Sequence, residues 1–291
     1  MTGRRPRAFY VLSIVFGLFI LFLYGPMISI LVLSFQGPEG GLVFPMNGFS
    51  THWFGTLLAG GSQVGIGSAL RRSFLLAIVV MVLTVAISVL AGLAFRRRFR
   101  GATVLLYVAI ASLIVPSIVV SLGIALEFRL FDGAIKALGA SMGIGWIQGN
   151  FVSALGPYTS GLGAHLTWTL PFGLLIMFAV FNRFDPAYEE AARDLGATSW
   201  QTFRHVTLPI IAPFLIGVAV FGFTLSWDEL ARSSQVMGSE NTLPMQLAAK
   251  TTTVTDPEIY ALGTATTFGS VVLVIVTFTL ASLIQKRRRG G

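Results

Sequence analysis

Residues 73–95 read SFLLAIVVMVLTVAISVLAGLAF, and the next five are Arg96-Arg97-Arg98-Phe99-Arg100. An uncharged run of this length, at 1.5 Å of rise per residue, makes a helix of about 35 Å, enough to cross roughly 30 Å of hydrocarbon. The arginines behind it mark where the chain returns to water, and by the positive-inside rule that side is the cytoplasm. Working outward in both directions, five more segments fit the same description. They are residues 9–35, broken by Gly25-Pro26; 103–126, with Pro116 inside; 162–181, with Pro171 inside; 210–231; and 262–284. Internal prolines are tolerated in such helices because neighbouring helices or water satisfy the freed carbonyls. The expected fold class is therefore all-α, a polytopic membrane protein with six transmembrane helices, reading as one domain over 1–291.

Composition agrees. Of 291 residues, 54% are hydrophobic and 11% charged, against about a quarter charged in soluble domains. The net charge of +8 comes from arginine clustered at the ends of apolar runs, with no basic helix or aromatic-basic face to follow a phosphate backbone, so nucleic acid is not an expected partner. Cysteine is absent, which removes disulfides and thiolate metal sites. Fourteen of the twenty basic residues fall on one side: Arg4, Arg5, Arg7; Arg96, Arg97, Arg98, Arg100; Arg183, Arg193, Arg204; and Lys286, Arg287, Arg288, Arg289. Both termini are expected in the cytoplasm, and Arg71-Arg72 are a local exception. The basic start and first apolar run read as a retained helix, since the run is too long for a signal peptide and lacks a small-residue cleavage site. Outside, residues 36–70 are Gly- and Ser-rich, and 127–161 carry Gly-rich stretches with Trp146 and Pro157.

The polar segment 184–209 lies between the fourth and fifth spans, on the cytoplasmic side. In Phe184-Asp185-Pro186-Ala187-Tyr188-Glu189-Glu190-Ala191-Ala192-Arg193-Asp194-Leu195-Gly196, Asp185 serves as N-cap, Pro186 as first helical residue, Glu189 and Glu190 face the positive dipole end, and Gly196 is the stop. A second short helix is expected over about 199–206, with Leu208-Pro209 and Pro213 opening the fifth span. A helix–Gly–helix joined to two spans suits docking into another protein, or else simply connects them.

Glu190-Ala191-Ala192, three residues, Gly196, nine residues and Val206-Thr207-Leu208-Pro209 resemble the signature loop of the permease subunits of binding-protein-dependent ABC importers. That resemblance implies the type I importer permease fold and a coupling role for Glu189, Glu190, Ala191, Ala192, Asp194, Gly196 and Pro209 against a cytoplasmic ATPase. Phe223-Thr224-Leu225-Ser226-Trp227-Asp228-Glu229, Thr242-Leu243-Pro244 and Asp256-Pro257-Glu258-Ile259-Tyr260-Ala261-Leu262 further resemble the second permease of spermidine/putrescine systems. The stretch of about 138–160 looks longer than that group's loop. The implied partners are a second permease in a heterodimer, two ATP-binding subunits carrying ATP and Mg, a periplasmic or extracellular solute-binding protein, and lipid, in a bacterial inner membrane. The chain's three lysines, Lys136, Lys250 and Lys286, follow Ile, Ala and Gln, so the Gly-Lys-[Ser/Thr] cradle of a P-loop is missing, and if transport uses ATP the ATPase is expected on another chain.

For the solute path the candidates are Trp227, Asp228 and Glu229, about 27 Å along the fifth span from Ile210, together with Trp168. Two carboxylates would attract a cation, and Trp227 would offer it a π face; the alternative is an interfacial cap with Asp228 paired to Arg232 at i,i+4. Glu127 and Arg129 read as an interfacial pair. His52, His165 and His205 lack ligand spacing, so no metal site is expected, and no catalytic constellation stands out. The rival functions are import of another solute, such as an opine, iron chelate or phosphonate, and ion-driven secondary transport, which would place carboxylates or broken helices at mid-membrane.

Overall fold

The computed structural model describes residues 6–59, 65–96, 99–253 and 257–289; Arg4, Arg5, Arg97, Arg98 and Asp256 lie outside them. Every element of regular structure among the described residues is helical. The chain divides into two compact units, residues 1–66 with 247–273, and residues 67–246 with 274–291.

In the first unit, α1 (Arg7–Leu33) runs unbroken through Gly25-Pro26. The expected break does not occur: proline removes one N–H but need not end a helix in an apolar medium, and Ser29 Oγ donates to Gly25 O at 3.2 Å beside it. Leu33 is the one buried residue of α1. A 27-residue helix apolar on all sides and bare on nearly all of them is built for lipid or for another protein. The following loop is organised by Gln36, fully buried, whose Nε2 donates to Gly41 O at 2.8 Å and whose Oε1 accepts from Asn47 N at 2.7 Å. Trp53 Nε1, on α2 (His52–Leu58), donates to Gln36 O at 3.0 Å. Phe35 stacks on Phe49 at 4.9 Å.

The second unit is built round three helices: α3 (Ile66–Phe95), α7 (Leu162–Asn182) and α10 (Leu208–Trp227). Apolar side chains gain nothing by leaving lipid for one another, so membrane helices associate where small residues let them approach closely. That is the pattern here. A Cβ on Gly222 of α10 would sit 3.2 Å from Met81 Cα and 3.3 Å from Thr84 Cβ of α3, and one on Gly173 of α7 would collide with Ser88 Oγ. Thr84 and Thr169 share a hydroxyl hydrogen bond of 2.8 Å across the α3–α7 contact. Met177, Ile211 and Val218 fill one half of this core and Leu76, Val80 and Ala164 the other.

The third expected span is two helices, α4 (Ala102–Ala111) and α5 (Ser117–Ser141). Pro116 is the reason, because it disfavours helical geometry at Val115 and has no N–H to carry the ladder onward. Beyond it α5 continues to Ser141 rather than ending near 126; five described helices are each long and apolar enough to cross a membrane, and with α4 as a shorter apolar piece the apolar helices number five to six, in keeping with the expected fold. Glu127 and Arg129 fall on α5 and are both exposed. No ion pair joins them among the described residues, since i,i+2 positions diverge on a helix. Asp132, one turn on, is buried and accepts from Ser153 Oγ at 2.5 Å and Ala154 N at 2.7 Å, tying down the segment past α6 (Gly145–Asn150). The fifth span also differs from expectation. Helix starts at α9 (Ser199–Thr202), passes through a π-turn at Phe203–Thr207 and continues into α10 without a break. The widened turn absorbs the N–H that Pro209 lacks, so Pro209 and Pro213 lie within a continuous rod rather than at its start.

The arginine pair on the unexpected side of α3 is accounted for in part by pairing. Arg72 meets Glu240 at 2.5 Å and donates from Nε to Asn241 O at 2.9 Å, and Ser73 Oγ accepts from Leu243 N at 2.7 Å. Leu243 opens α12 (Leu243–Thr253), and α13 (Glu258–Arg289) ends the chain.

Candidate functional site

The helix of the polar segment 184–209, α8 (Ala187–Asp194), forms where the sequence reading puts it. Pro186 is the N-cap, one residue later than the Asp185 expected, and Asp185 Oδ1 accepts from Ala187 N, the first helical residue, at 2.9 Å. At the other end Gly196 adopts φ +85°. Its N–H reaches Arg193 O at 2.8 Å while Ala197 N reaches Ala192 O at 3.0 Å. This pair of bonds is a Schellman stop, which needs a left-handed residue at Gly196. Thr198 and Gln201 then close a capping box that launches α9.

The glutamates of α8 part ways. Glu189 points inward, with its side chain only 11% exposed, and accepts both arms of Arg96 from the end of α3, Nη1 to Oε1 at 2.8 Å and Nη2 to Oε2 at 3.0 Å. Thr207 Oγ1, in the π-turn below α10, donates to Oε1 at 2.6 Å, and Arg193 approaches Oε2 at 3.5 Å. The Arg96 guanidinium is in turn held over Phe181 and Phe184, 5.3 and 4.9 Å from their ring centroids. One carboxylate therefore ties α3, α8 and the foot of α10 together, with a cleft of about 550 Å³ beside it lined by Leu93, Ala94, Arg96, Pro186, Glu189 and Arg193.

These contacts hold the Glu189 carboxyl below its ordinary value of 4.5: the hydrogen bonds from Arg96 lead, burial pushes the other way, and Thr207 and the charges of Arg96 and Arg193 add to the depression. A carboxyl depressed in the folded state contributes stability that is complete above its unfolded pKa and disappears as pH falls through the folded one. The detergent-solubilised protein should keep this contribution at neutral pH and lose it below about pH 4.5, toward the lower folded pKa. Melting curves of wild type and Glu189→Gln over that range check this: the gap between them should close with acidification.

Glu190, Ala191, Asp194 and Gly196 are exposed, while Ala192 and Pro209 are half-buried. Sequence reasoning missed the residues that stand furthest out: Leu195 is 90% exposed, Trp200 65% and Tyr188 58%. A Leu before the helix-stopping Gly and a Trp in a polar run were the available signals. With Glu190 they are the solvent-exposed apolar and acidic side chains of the α8–α9 segment.

At the other end of α10, the four path candidates do not gather round one opening. Trp227 stacks on Phe223 at 5.8 Å and meets Phe74 edge-on at 6.5 Å. Asp228 is exposed, but Arg232 does not pair with it. The helix ends at Trp227, so the i,i+4 geometry that the pairing needs is lost. Arg232 instead meets Glu229, Nη1 to Oε2 at 3.2 Å and backbone N to Oε1 at 2.9 Å. Trp168 lies under that guanidinium, 4.6 Å from ring centroid to Cζ. His165, fully buried, bridges Ser226 Oγ at 2.8 Å and Ser233 Oγ at 3.0 Å, a packing role between α7, α10 and α11 (Ser233–Val236). No group of three metal-ligating side chains occurs among the described residues.

Residues 84–290 match the family of binding-protein-dependent transport system inner membrane components. The chain is 30% identical to the putrescine transport system permease protein PotI of Escherichia coli K12, over 92% of this chain and 89% of that one. It is 29% identical to the spermidine/putrescine transport system permease protein PotC of the same organism, over 100% and 99%. Its fold matches a chain of a bacterial ABC transporter involved in the import of the acidic polysaccharide alginate, at TM-score 0.72, 16% identity and 95% coverage of both chains. The helix pair on its rigid mount, the apolar helices and these matches converge: the chain belongs to the binding-protein-dependent transport system inner membrane components, and is a permease subunit of an ABC importer.

Proposed function

We propose that this permease, acting as one domain over its whole length, forms the path for a polyamine or related small organic solute together with a second, non-identical permease. Two ATP-binding subunits, carrying ATP and Mg, dock on the segment 184–209, and a solute-binding protein delivers the cargo from outside. The chain sits in a bacterial inner membrane with both termini in the cytoplasm. The observation that carries the reading is the division of labour within the α8–α9 segment: Glu189 is spent inward on Arg96 and Thr207, leaving Glu190, Leu195 and Trp200 displayed outward. A load applied to the outer face passes through the clasp into α3 and α10, which is what conversion of ATPase closure into alternating access requires. Coupling would run through Glu189 as anchor, Glu190, Ala191, Ala192, Asp194 and Gly196 as contact surface, and Pro209 as part of the rod. The relatives' names support an amine as cargo, and α1, bare over nearly its whole surface, offers a face to the second permease or to lipid.

For a cationic solute, Asp228 is the carboxylate left exposed at the outer end, with Trp227 and Trp168 beside the same helix ends. Proteoliposomes holding this chain with the permease, ATPase and binding protein encoded beside it should take up labelled putrescine only when ATP and Mg are supplied to the ATPase side. ATP-driven uptake of another solute, with putrescine ignored, would replace the cargo and keep the mechanism. Uptake that survives ATP removal and collapses with an ionophore would replace the mechanism by ion coupling.

A further inference from the structure

Arg232 is the largest fully buried side chain of the described residues. An arginine cannot shed its charge at any physiological pH, so enclosing one demands partners for its five N–H donors. Only part of that demand is met. Nη1 is taken by Glu229 Oε2, and one face of the guanidinium is covered by Trp168. Nε and Nη2 are buried and have no hydrogen-bond partner. These two nitrogens share one edge of the guanidinium, the side-on fork whose two parallel N–H groups match the two oxygens of a carboxylate.

The neighbouring side chains cannot close the gap by turning round. Ser226 and Ser233 are engaged with both nitrogens of His165, and Ser233 Oγ also donates to Glu229 O. Glu229 uses its two oxygens on the side chain and backbone of Arg232 itself. A buried cationic donor pair left unmatched is costly, and the surrounding hydrogen bonds hold it aimed rather than letting it relax.

We propose that the Nε–Nη2 edge of Arg232 is a subsite for the carboxylate of the transported solute. It deepens the amine reading above, on which it rests. Asp228 and Glu229 against Arg232 leave the local charge at −1, so a carboxylate brought there alone would add to an existing excess, whereas one attached to an ammonium group would not. The solute class is then an amine that also bears a carboxylate: its oxyanion lies on the fork of Arg232 and its ammonium meets Asp228. Arg232 precedes α11, just past the end of α10, and Trp168 lies in the second turn of α7, so the enclosed fork becomes accessible when that end of the helices opens.

The test uses a matched pair of probes. Putrescine and ornithine share the same diamine and differ by one carboxylate. In proteoliposomes of the complete transporter without its binding protein, so that the permease alone discriminates, ornithine should be bound in equilibrium dialysis roughly ten- to a hundredfold more tightly than putrescine. Arg232→Lys keeps the charge facing Glu229 and loses the fork, and should bring the two probes to within about twofold of each other. Equal binding of both probes by wild type, or a preference that survives Arg232→Lys, overturns the subsite and leaves Arg232 as a buried structural cation whose edge is satisfied by water. ATP-driven uptake by the intact system, measured in parallel with its binding protein present, separates the two failures. Putrescine uptake that continues while the wild type shows no carboxylate preference rejects the subsite alone, and absence of any ATP-driven uptake rejects the underlying reading.

Discussion

Replacing Glu189 by glutamine should destabilise the protein by about 3 kcal/mol and reduce ATP-driven uptake at the same time. The estimate takes the lower end of the range for removing one partner of an enclosed ion pair, because Arg96 keeps 22% of its side chain in solvent. Glutamine preserves shape but presents an N–H₂ where an acceptor stood, so at most one arm of Arg96 retains its bond and Thr207 competes for the same oxygen. Arg96→Lys should cost less, since an ammonium can still meet one carboxylate oxygen, yet it forfeits the second bond and the stacking over Phe181 and Phe184. The discriminating measurement is a double-mutant cycle with Arg96→Met and Glu189→Met, read by thermal unfolding in detergent. A coupling energy well above 1 kcal/mol identifies an enclosed clasp, and one near zero would reduce it to an ordinary surface pair. Because the clasp joins three elements, the proposed coupling route through α8 predicts a loss in function as well: ATP hydrolysis should persist while uptake falls.

How much of this was legible in the sequence depends on the range of the force involved. The apolar runs announce themselves because hydrocarbon selects every residue in them, and α3, α7 and α13 lie close to where uncharged length places them. The ends of α8 were legible for an equally local reason: Asp185-Pro186 and Gly196 act on backbone groups within four residues of themselves. Pro116 was visible, but whether a proline bends a span or splits it depends on what supports the freed carbonyls, and Pro26 and Pro116 came out opposite ways. The clasp could not be read at all. Arg96 and Glu189 are 93 positions apart, and before folding Arg96 was one of four arginines marking a membrane edge and Glu189 one of two equivalent acids. Arg232 shows the limit again. Its i,i+4 spacing to Asp228 suggested a helical pair, and the end of α10 at Trp227 handed the arginine to Glu229 instead.

The neighbouring acid gives the contrasting result. Glu190→Arg should leave folding and insertion nearly intact and abolish most uptake. Glu190 is exposed and has no hydrogen bond or ion pair from its side chain among the described residues, so its removal breaks no clasp. Reversing charge in the first turn of α8 sacrifices a favourable dipole contact of about 0.5 kcal/mol, too little to shift a melting curve far. Its effect belongs to the partner. If the outer face of α8 enters a recess in the ATPase, an arginine there replaces an acid amid contacts that must desolvate, and at a buried interface position a change of about 2 kcal/mol or more is usual. That corresponds to at least about a thirtyfold weaker association. Leu195→Ala and Trp200→Ala should each act in the same direction through lost apolar contact. Three readouts separate the possibilities: melting temperature, co-purification with the ATPase, and ATP-driven uptake. For Glu190→Arg the first should hold while the other two fall, and for Glu189→Gln the first should fall as well. Normal uptake by Glu190→Arg, with the ATPase still attached, would remove the outer face of α8 from the coupling route. The force would then have to enter elsewhere, with the exposed α9 surface at Trp200 next in line.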